Sequence, residues 1–384
     1  MTTKSRILIT LITITVITTV LVATWVTPKL MRRFYLHGLE LVEVASGLGV
    51  PWAMAFMPDG SILITERAGQ LRLIDTSGSV GAPISGLPPI AVGGEGGLMG
   101  VVLDPNFSAS RYVYWSYSEP APDENEGVST AVARGRLSDD TTQLTDVEVI
   151  YRQSEKLTDQ RHFGGRLLFD DQERLLVGLG DRMNRADAQD LGSAHGKLLR
   201  LLPDGGIPEE NPFANEADAL DEILSYGHRN IQGMAINPQT KSLWATEHGP
   251  DSGDEVNLIT AGANYGWPLF SHGCEYTTCE PIGQSVEPDG TEAPLTYFAP
   301  ESVPPSALSF VTSERYPDWH GHVLMGVLHS RALMLMKVDG DEIVSRKPLW
   351  LGKYMRVRDV QQGPDGWIYV AVQSPSGTIL KLMP

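Results

Sequence analysis

Residues suited to gripping an oxygen-rich ligand are concentrated between Tyr226 and Pro268. The stretch opens with YGHRNIQGM, in which Arg229 and Asn230 are neighbours. A guanidinium beside an amide matches the oxygens of a carboxylate or a quinone. The pair therefore indicates a planar, anionic organic ligand. The alternative is that an Arg-Asn turn caps a strand or bridges two structural units.

The same stretch continues with EHGPDSGDEVN and NYGWP, which offer hard oxygen ligands. Ca²⁺ collects carbonyl and carboxylate oxygens. The carbonyls of the turn at Gly249 and Pro250, and the Glu255 carboxylate with the Tyr265 region, fit that requirement. An anionic cofactor together with calcium is the first hypothesis. Ordinary loop residues are the alternative, since the string has no EF-hand spacing.

A candidate base lies further upstream, in RHFGGRLLF, where His162 precedes two glycines at the start of an apolar strand. Glycines allow a ligand or a neighbouring backbone to approach closely, and histidine is the natural base near neutral pH. Asp181 in GLGDRMNR, at the end of the following strand, is the candidate orienting carboxylate. A structural or surface histidine is the competing interpretation.

Two arginines near the C-terminus indicate an anion clamp. Arg356 and Arg358 in YMRVRDV alternate on one face of a strand by the period-two rule. Two arginines on one face make a poor core and a good binding surface for an anion. The alternative is an exposed surface stripe.

The elements that must position these residues are short strands. The chain contains 39 Gly and 26 Pro, scattered rather than concentrated, which favours many turns over long helices. One pattern recurs six times: an apolar stretch, a turn, a β-branched strand and further strands. It is clearest in PWAMAFMPDGSILITERAGQLRLID and in VRDVQQGPDGWIYVAVQSPSGTILKL, and looser in strings that begin at 98, 164, 231 and 306.

Repeats of roughly 45 to 75 residues with about four strands each are typical of propeller blades. The sequence therefore predicts an all-β fold, a six-bladed β-propeller. A β-sandwich or two stacked all-β domains is the alternative, which does not explain the recurring Pro-Asp-Gly hairpins. In a propeller, loops on one face surround the channel and carry the binding groups.

The N-terminus predicts a membrane attachment. Residues 7–26 form an uncharged apolar run long enough to span a bilayer as a helix. No clean small-x-small cleavage site follows, which favours an uncleaved transmembrane anchor over a signal segment. The predicted organisation is a short tail at 1–6, the anchor at 7–26, a tether at 27–38 and the propeller at 39–384.

Charge and cysteine content limit the partners and the compartment. The net charge of −17 and the lack of a basic cluster argue against nucleic acid. Cys274 and Cys279 lie in one polar loop, close enough for a local disulfide in an oxidising compartment. Two free loop thiols are the alternative, and two cysteines alone make a zinc site improbable.

From about Val50 to the C-terminus the chain resembles the soluble aldose sugar dehydrogenases of the glucose/sorbosone dehydrogenase family. These enzymes use pyrroloquinoline quinone (PQQ) on a six-bladed propeller. Eight strings carry the resemblance in family order: PWAMAFMPDG, GGLMGVVLDPNF, RHFGGRLLF, HGKLLRLLPDGGIPEENPF, SYGHRNIQGMA, EHGPDSGDEVN, NYGWP and RVRDVQQGPDGWIYV.

The resemblance implies roles for the candidate catalytic residues. His162 matches the general base, which takes the proton of the anomeric hydroxyl as hydride passes from C1 to the quinone. Asp181 matches a carboxylate near that base. Arg229 and Asn230 match the pair that contacts the quinone, where the arginine stabilises developing negative charge.

The resemblance also implies the cofactor and metal ligands. Gly249 and Pro250 match the turn whose carbonyls hold the calcium that binds and polarises PQQ. Glu255 and Tyr265 match a second, structural calcium position. Arg356 and Arg358 match arginines that face the cofactor carboxylates.

Two residues depart from the family pattern. Glu95 in GGEGGLMG stands where relatives usually have Gln, and a carboxylate repels a tricarboxylate cofactor. His329 in MGVLHSR stands where relatives often have Lys. Both changes remove favourable charge near the cofactor, by about 1 to 2 kcal/mol each on the scale of one charge-assisted hydrogen bond.

The predicted function is a PQQ-dependent aldose dehydrogenase in the bacterial periplasm, tethered to the inner membrane, or secreted if the N-terminal segment is cleaved. It would pass electrons from the sugar to an external acceptor, a cytochrome or a quinone. Two alternatives remain: a calcium-dependent sugar lactonase, against which Arg356 and Arg358 argue, and a binding propeller that has lost its cofactor.

Overall fold

The computed structural model describes residues 33–36, 39–123, 126–329, 332–350 and 355–384. Six antiparallel sheets are arranged around a central channel, one for each of the six predicted repeats. The all-β, six-bladed propeller is therefore confirmed. In the described part of the chain, an α-helix at Phe107–Ser110 and a 3₁₀ helix at Arg185–Gln189 interrupt the strands.

The first three blades in chain order are three- or four-stranded meanders. Their strands are β3 (Pro51–Phe56), β4 (Ile62–Glu66) and β5 (Gln70–Ile74); then β6 (Leu98–Leu103), β7 (Tyr112–Pro120), β8 (Val128–Leu137) and β9 (Leu144–Arg152); then β10 (Gly164–Phe169), β11 (Leu175–Leu179), β12 (Lys197–Leu201) and β13 (Ile223–Tyr226).

The next two blades follow the same plan, with a separate hairpin inserted in the first of them. Their strands are β14 (Ile231–Ile236), β15 (Leu243–Glu247), β16 (Asp254–Ile259) and β19 (Thr296–Phe298); then β20 (Pro305–Phe310), β21 (Val323–Val327), β22 (Ala332–Asp339) and β23 (Glu342–Trp350). The inserted hairpin is β17 (Phe270–Cys274) with β18 (Pro281–Gly283).

The last blade closes the ring with both ends of the chain. It contains β1 (Arg33–Leu36), β2 (Leu39–Ser46), β24 (Arg356–Gln362), β25 (Ile368–Gln373) and β26 (Thr378–Met383). The strand order is β1-β2-β26-β25-β24, so β2 from the start of the chain pairs with β26 from its end. A ring of blades has no free outer end when the two termini share one sheet.

The innermost strand of every blade begins one of the six repeats. These strands are β3, β6, β10, β14, β20 and β24, and each contacts the next around the channel. Local chemistry explains the tight turns that follow them. Asp59 Oδ1 accepts the Ser61 N–H at 2.9 Å while Gly60 adopts φ +87°, a conformation that suits glycine.

One arginine ties the innermost strands together in the channel. Arg166, on β10, is 6% exposed. Its guanidinium donates to the Gln232 carbonyl at 2.8 Å, to the Ser306 carbonyl at 2.8 Å and to Asp359 Oδ1 at 3.1 Å. These acceptors belong to three other blades, so one side chain joins four of the six.

The N-terminal predictions fall largely on residues that the structure does not describe. The tail at 1–6 and the anchor at 7–26 lie outside the described residues, as does most of the tether at 27–38. Residues 33–36 of that tether form β1, paired with β2. Among the residues that the structure does describe, no helix has the length and apolarity needed to cross a bilayer.

Candidate functional site

A cavity of about 260 Å³ opens where the innermost strands begin, at one end of the channel. Loops and strand ends from all six blades contribute to its wall. The lining residues are Trp52, Arg67, Glu95, Met99, Phe163, Gly164, Asn230, Gln232, His248, Leu328, Arg356 and Arg358. Four of the predicted site residues, Glu95, Asn230, Arg356 and Arg358, are thereby brought to one place.

The predicted base and its orienting carboxylate meet beside this cavity. His162 Nδ1 lies 2.6 Å from Asp181 Oδ1, and both residues are buried. The other carboxylate oxygen accepts the Trp267 indole N–H at 2.8 Å. Burial alone would raise the pKa of Asp181, but the bond to His162 and the charge of Arg229 lower it below its ordinary value. The carboxylate thus orients the imidazole and leaves Nε2 as the reactive nitrogen.

The backbone at His162 has an unusual conformation, with φ +51°. The Glu95 carboxylate accepts the His162 N–H at 2.7 Å. The two glycines that follow admit a neighbouring backbone: a Cβ at Gly164 would lie 2.4 Å from the Gly178 carbonyl oxygen. The backbone of β11 therefore approaches Gly164 closely, as the two glycines predicted.

Three arginines make the cavity electropositive. Arg356 and Arg358 both line it, as expected, and Arg67 from the first blade joins them. Burial lowers the pKa of Arg358, and the positive charges of Arg356 and Arg67 lower it further. Its guanidinium also donates to Gln373 at 2.6 and 3.0 Å. Like charges held this close favour an anionic ligand between them.

Arg229 stands next to the cavity in a network of carbonyls. It donates to the carbonyls of His248 at 3.0 Å and Gly249 at 2.6 Å, and to the Tyr276 hydroxyl at 3.1 Å. Its guanidinium carbon lies 5.3 Å from the centre of the Trp267 ring. Among the described residues, no acceptor faces its buried Nε. A buried donor without a partner is costly unless a ligand supplies the acceptor.

Asn230 and His248 complete this wall. Asn230 is 1% exposed, and its Oδ1 accepts the N–H of Gly164 at 3.0 Å. His248 Nε2 donates to the Pro305 carbonyl at 2.7 Å. Burial outweighs that hydrogen bond and lowers the pKa of His248 to about 3. The ring is therefore neutral at physiological pH and presents Nδ1 as an acceptor.

A second, smaller crevice of about 20 Å³ collects three of the four predicted metal ligands. Gly249, Glu255 and Tyr265 line it together with Glu247. Glu247 and Glu255 are directly opposite each other on β15 and β16. Burial and the Glu247 carboxylate raise the pKa of Glu255 well above its ordinary value. Two enclosed carboxylates with excess negative charge fit a hard divalent cation.

The other implied ligands of this crevice are engaged within the chain. The Tyr265 hydroxyl donates to the Leu258 carbonyl at 2.6 Å, which leaves its backbone as the group able to bind a metal. Gly249 already accepts from Arg229. Pro250 does not line the crevice: it is buried against the inserted hairpin, where a Cβ added at Gly273 would lie 2.9 Å from Pro250 Cδ.

His329 does not join the cavity. It follows the lining residue Leu328, but its own side chain is exposed and does not contribute to the wall. The change from Lys to His therefore concerns the outer edge of the site. The sequence analysis also missed several residues that the fold brings in. They are Trp52, Arg67, Gln232, Glu247, His248 and Trp267. Trp52, Gln232, Glu247, His248 and Trp267 lie within the quoted family motifs, whereas Arg67 lies in a string that indicated only a blade.

The predicted disulfide forms, and it closes the inserted hairpin. Cys274 and Cys279 are joined across four residues of the loop. The loop carries Tyr276 to Arg229, and Glu275 makes a two-pronged ion pair with Arg185 at 2.5 and 3.0 Å. The hairpin thus forms a rim above Arg229.

Comparisons with known proteins identify the family of this chain. The family model described as Glucose / Sorbosone dehydrogenase matches residues 48–381. The chain is 43% identical over 336 residues to the aldose sugar dehydrogenase YliI of Escherichia coli, covering 87% of this chain and 90% of that protein.

Two solved structures share the fold. The soluble aldose sugar dehydrogenase of Escherichia coli in its apo form matches with a TM-score of 0.85 and 41% identity, over 90% of this chain and 99% of that one. The PQQ-bound aldose sugar dehydrogenase of Streptomyces coelicolor matches with a TM-score of 0.74 and 26% identity, over 89% and 96%. This chain belongs to the glucose/sorbosone dehydrogenase family and is an oxidoreductase that acts on sugars.

Proposed function

We propose that the protein is a PQQ-dependent aldose dehydrogenase that oxidises the sugar at C1 to the lactone. The His162–Asp181 pair, joined at 2.6 Å beside an arginine-lined cavity, is the observation that carries the proposal. A base with an orienting carboxylate suits proton removal from a hydroxyl. Three cations next to it suit a polyanionic cofactor rather than a neutral sugar alone.

The residues present fit PQQ, a planar quinone with three carboxylates. Arg67, Arg356 and Arg358 would hold carboxylates, and the flat side chains of Trp52 and Phe163 line the same cavity. The buried Arg229 Nε would find its acceptor in a quinone oxygen. A relative that is 26% identical to this chain has been solved in its PQQ-bound form, which supports the same cofactor here.

In the proposed reaction, His162 takes the proton of the anomeric hydroxyl on Nε2, and Asp181 stabilises the resulting imidazolium. When bound, PQQ supplies the two-electron acceptor for the hydride that leaves C1. Arg229, next to the cavity, would stabilise negative charge that develops on the electron acceptor. The neutral His248 adds no positive charge, so Arg229 and the arginine cluster dominate the local field.

Calcium belongs to the same proposal. The Gly249 and Pro250 carbonyls would hold the ion that polarises the quinone, a Lewis-acid role. The Glu247–Glu255 pair would hold a second ion with a structural role, and the Tyr265 backbone lies in the same crevice. Neutralising two opposed carboxylates would remove the repulsion that raises the pKa of Glu255.

The cellular setting remains a proposal from the sequence. The apolar run at 7–26 favours attachment to the inner membrane, and the Cys274–Cys279 disulfide is consistent with the oxidising bacterial periplasm. Electrons from the sugar would pass to an external acceptor, a cytochrome or a quinone. The net charge of −17 is compatible with a basic cytochrome.

The decisive experiment is a titration of the purified full chain with PQQ, with and without Ca²⁺, following aldose-dependent reduction of a dye. His162→Gln should lower kcat by about 10²- to 10⁴-fold, the usual contribution of a positioned base, while PQQ binding persists. The exposed His320, changed to Gln, is the matched control and should leave kcat unaltered.

Other outcomes separate the alternatives. PQQ-independent hydrolysis of sugar lactones that requires calcium would replace the dehydrogenase with a lactonase. A folded chain that binds neither PQQ nor lactone would point to a cofactor-free binding propeller.

A further inference from the structure

The backbone that carries His162 is held in a conformation that side chains rarely adopt. His162 has φ +51°, and Arg182 and Met183, which follow its partner Asp181, have φ +50° and +66°. Left-handed backbone at non-glycine residues persists only where the surroundings over-determine it. Some neighbouring group must therefore fix the segment before His162.

A single peptide unit, between Arg161 and His162, is fixed at both of its polar atoms. Its N–H donates to Glu95 Oε2 at 2.7 Å. Its carbonyl oxygen accepts from Arg182 Nε at 2.9 Å. A peptide plane held at both ends cannot rotate without breaking a charge-assisted hydrogen bond. The direction in which the His162 side chain leaves the backbone is set by that plane.

Arg182 also binds the flanking segments. It donates to the Val128 carbonyl at 2.9 Å and to the Asp159 carbonyl. Its guanidinium carbon lies 3.9 Å from the centre of the Phe163 ring, directly after the base. The side chain is 1% exposed. Two of the three carbonyls that accept from Arg182, those of Asp159 and Arg161, thus belong to the loop before His162, and the third belongs to the first residue of β8.

Arg182 directly follows Asp181, the carboxylate that binds the base. Asp181 binds the imidazole ring, and the next residue binds the backbone on which that ring is mounted. The charges that face the Arg182 guanidinium are those of Asp159, Glu95 and Asp181. The Arg182 cation therefore donates to three carbonyls and lies in the field of three carboxylates within one enclosed space.

We propose that Arg182 is a positioning residue for the reaction: it fixes the Arg161–His162 peptide and so aims the imidazole at the substrate. This inference rests on the proposed role of His162 as the base. It predicts that loss of the guanidinium lowers kcat while cofactor binding and KM change little, because Arg182 itself does not line the cofactor cavity.

The kinetic test uses Arg182→Lys and Arg182→Ala in the full chain, with rates expressed per PQQ-loaded site. A displacement of the base by about 1 Å is worth about 10²-fold in rate. We expect that loss in Arg182→Ala, a smaller one in Arg182→Lys, and KM within about threefold of the parent. Added guanidinium at a non-denaturing concentration should restore part of kcat in Arg182→Ala and none in His162→Gln.

Arg200, on β12, provides the matched control. It is another buried arginine, and it donates to Asn211 Oδ1 at 2.7 Å and to the Glu210 carbonyl at 2.8 Å. Arg200→Lys should lower the melting temperature as Arg182→Lys does but leave kcat unaltered. Equal kcat losses in both lysine variants would reduce Arg182 to a general structural role.

A spectroscopic measurement on the chain without PQQ separates this inference from the proposed function. The short His162–Asp181 hydrogen bond should give a downfield proton resonance that disappears in Asp181→Asn. Arg182→Lys should shift or broaden that resonance, and Arg200→Lys should not. An unshifted resonance together with parental kcat in Arg182→Lys would overturn the inference. An enzyme that fails to oxidise any aldose with PQQ, yet shows the shift, would refute the proposed function alone.

Discussion

At the scale of single residues, Asp181 is the carboxylate on which the arrangement of the base depends. It accepts from the His162 ring, from the Trp267 indole and from the Met183 N–H at 2.9 Å. Three donors on one buried carboxylate favour its ionised form strongly enough to overcome desolvation. An amide at this position would turn an NH₂ group toward at least one of these donors.

We expect Asp181→Asn to be less stable than the parent at pH 7, by an amount that decreases on acidification. The pKa of Asp181 is lowered in the folded state, so the unfolded chain binds the proton first as the pH falls below the ordinary value of 3.8. The stability contributed by the carboxylate is therefore present above that value and lost below it. Urea denaturation of both proteins from pH 7 to pH 3 measures the difference, and a gap that widens in acid would contradict the assignment.

Glu95 raises a separate question at the same scale, because it faces both the base and the arginines. Glu95→Gln would keep an acceptor for the His162 N–H and remove one negative charge from the cavity. Since Glu95 is solvent-exposed, screening limits the gain. We expect PQQ to bind about fivefold more tightly, which corresponds to about 1 kcal/mol.

Quenching of tryptophan fluorescence by PQQ would measure that affinity, with the exposed Glu314→Gln as control. Unchanged affinity in Glu95→Gln would mean that Arg67 and Arg358 already neutralise the carboxylate. The departure from the family's glutamine would then carry no cost in cofactor binding.

At the scale of elements, neighbouring blades are joined by specific polar contacts as well as by apolar packing. Asp341 lies in the turn between β22 and β23, yet one of its oxygens accepts from four groups of the preceding blade. The donors are Asn237 Nδ2 at 2.9 Å, Thr240 Oγ1 at 2.9 Å, Ser242 Oγ at 2.5 Å and Trp244 Nε1 at 3.0 Å.

Asp341→Ala should destabilise the fold by about 2 kcal/mol, since it leaves the Trp244 indole N–H without its acceptor in a partly buried position. Activity per folded molecule should be unaffected because the contact is remote from the cavity. Chemical denaturation measures the loss, and Asp339→Ala, in the same turn, serves as control. Equal effects of the two changes would show that the Asp341 hub adds nothing specific.

At the scale of the whole molecule, the ring is held by its closing sheet and by Arg166 in the channel. Arg166 joins β10 to three other blades, and its guanidinium also lies 4.6 Å from the centre of the Trp52 ring. Burial raises the pKa of Asp359 even though the charge of Arg166 acts to lower it. Removing Arg166 alone would strand a buried carboxylate.

Arg166→Met should therefore cost about 3 to 5 kcal/mol of unfolding free energy, the usual penalty for breaking a buried ion pair. Arg166→Met combined with Asp359→Asn should cost less than Arg166→Met alone, because the stranded charge is gone while an acceptor for the Met54 N–H remains. Denaturation curves at pH 7 decide this, and a double variant as unstable as the sum of the singles would contradict the argument.

The fold was largely predictable because its information is local. Each repeat carries its own alternation and its own turn residues, as the Asp59–Gly60 turn illustrates, and six such units can bury their faces only by stacking in a ring. The sequence also indicated His162, Asp181, Arg229 and the two C-terminal arginines, since each stands in a motif at a strand end.

The site itself depended on the closed ring. Glu95 reaches the His162 N–H across 67 positions of sequence, and Arg67 joins Arg358 from the opposite end of the chain. The tilt and rotation of whole blades determine which loops meet over the channel. The packing of many distant side chains sets that tilt and rotation. Residue types and local periodicity therefore determined the blades and the candidate chemistry, while only the tertiary structure decided which groups touch the base.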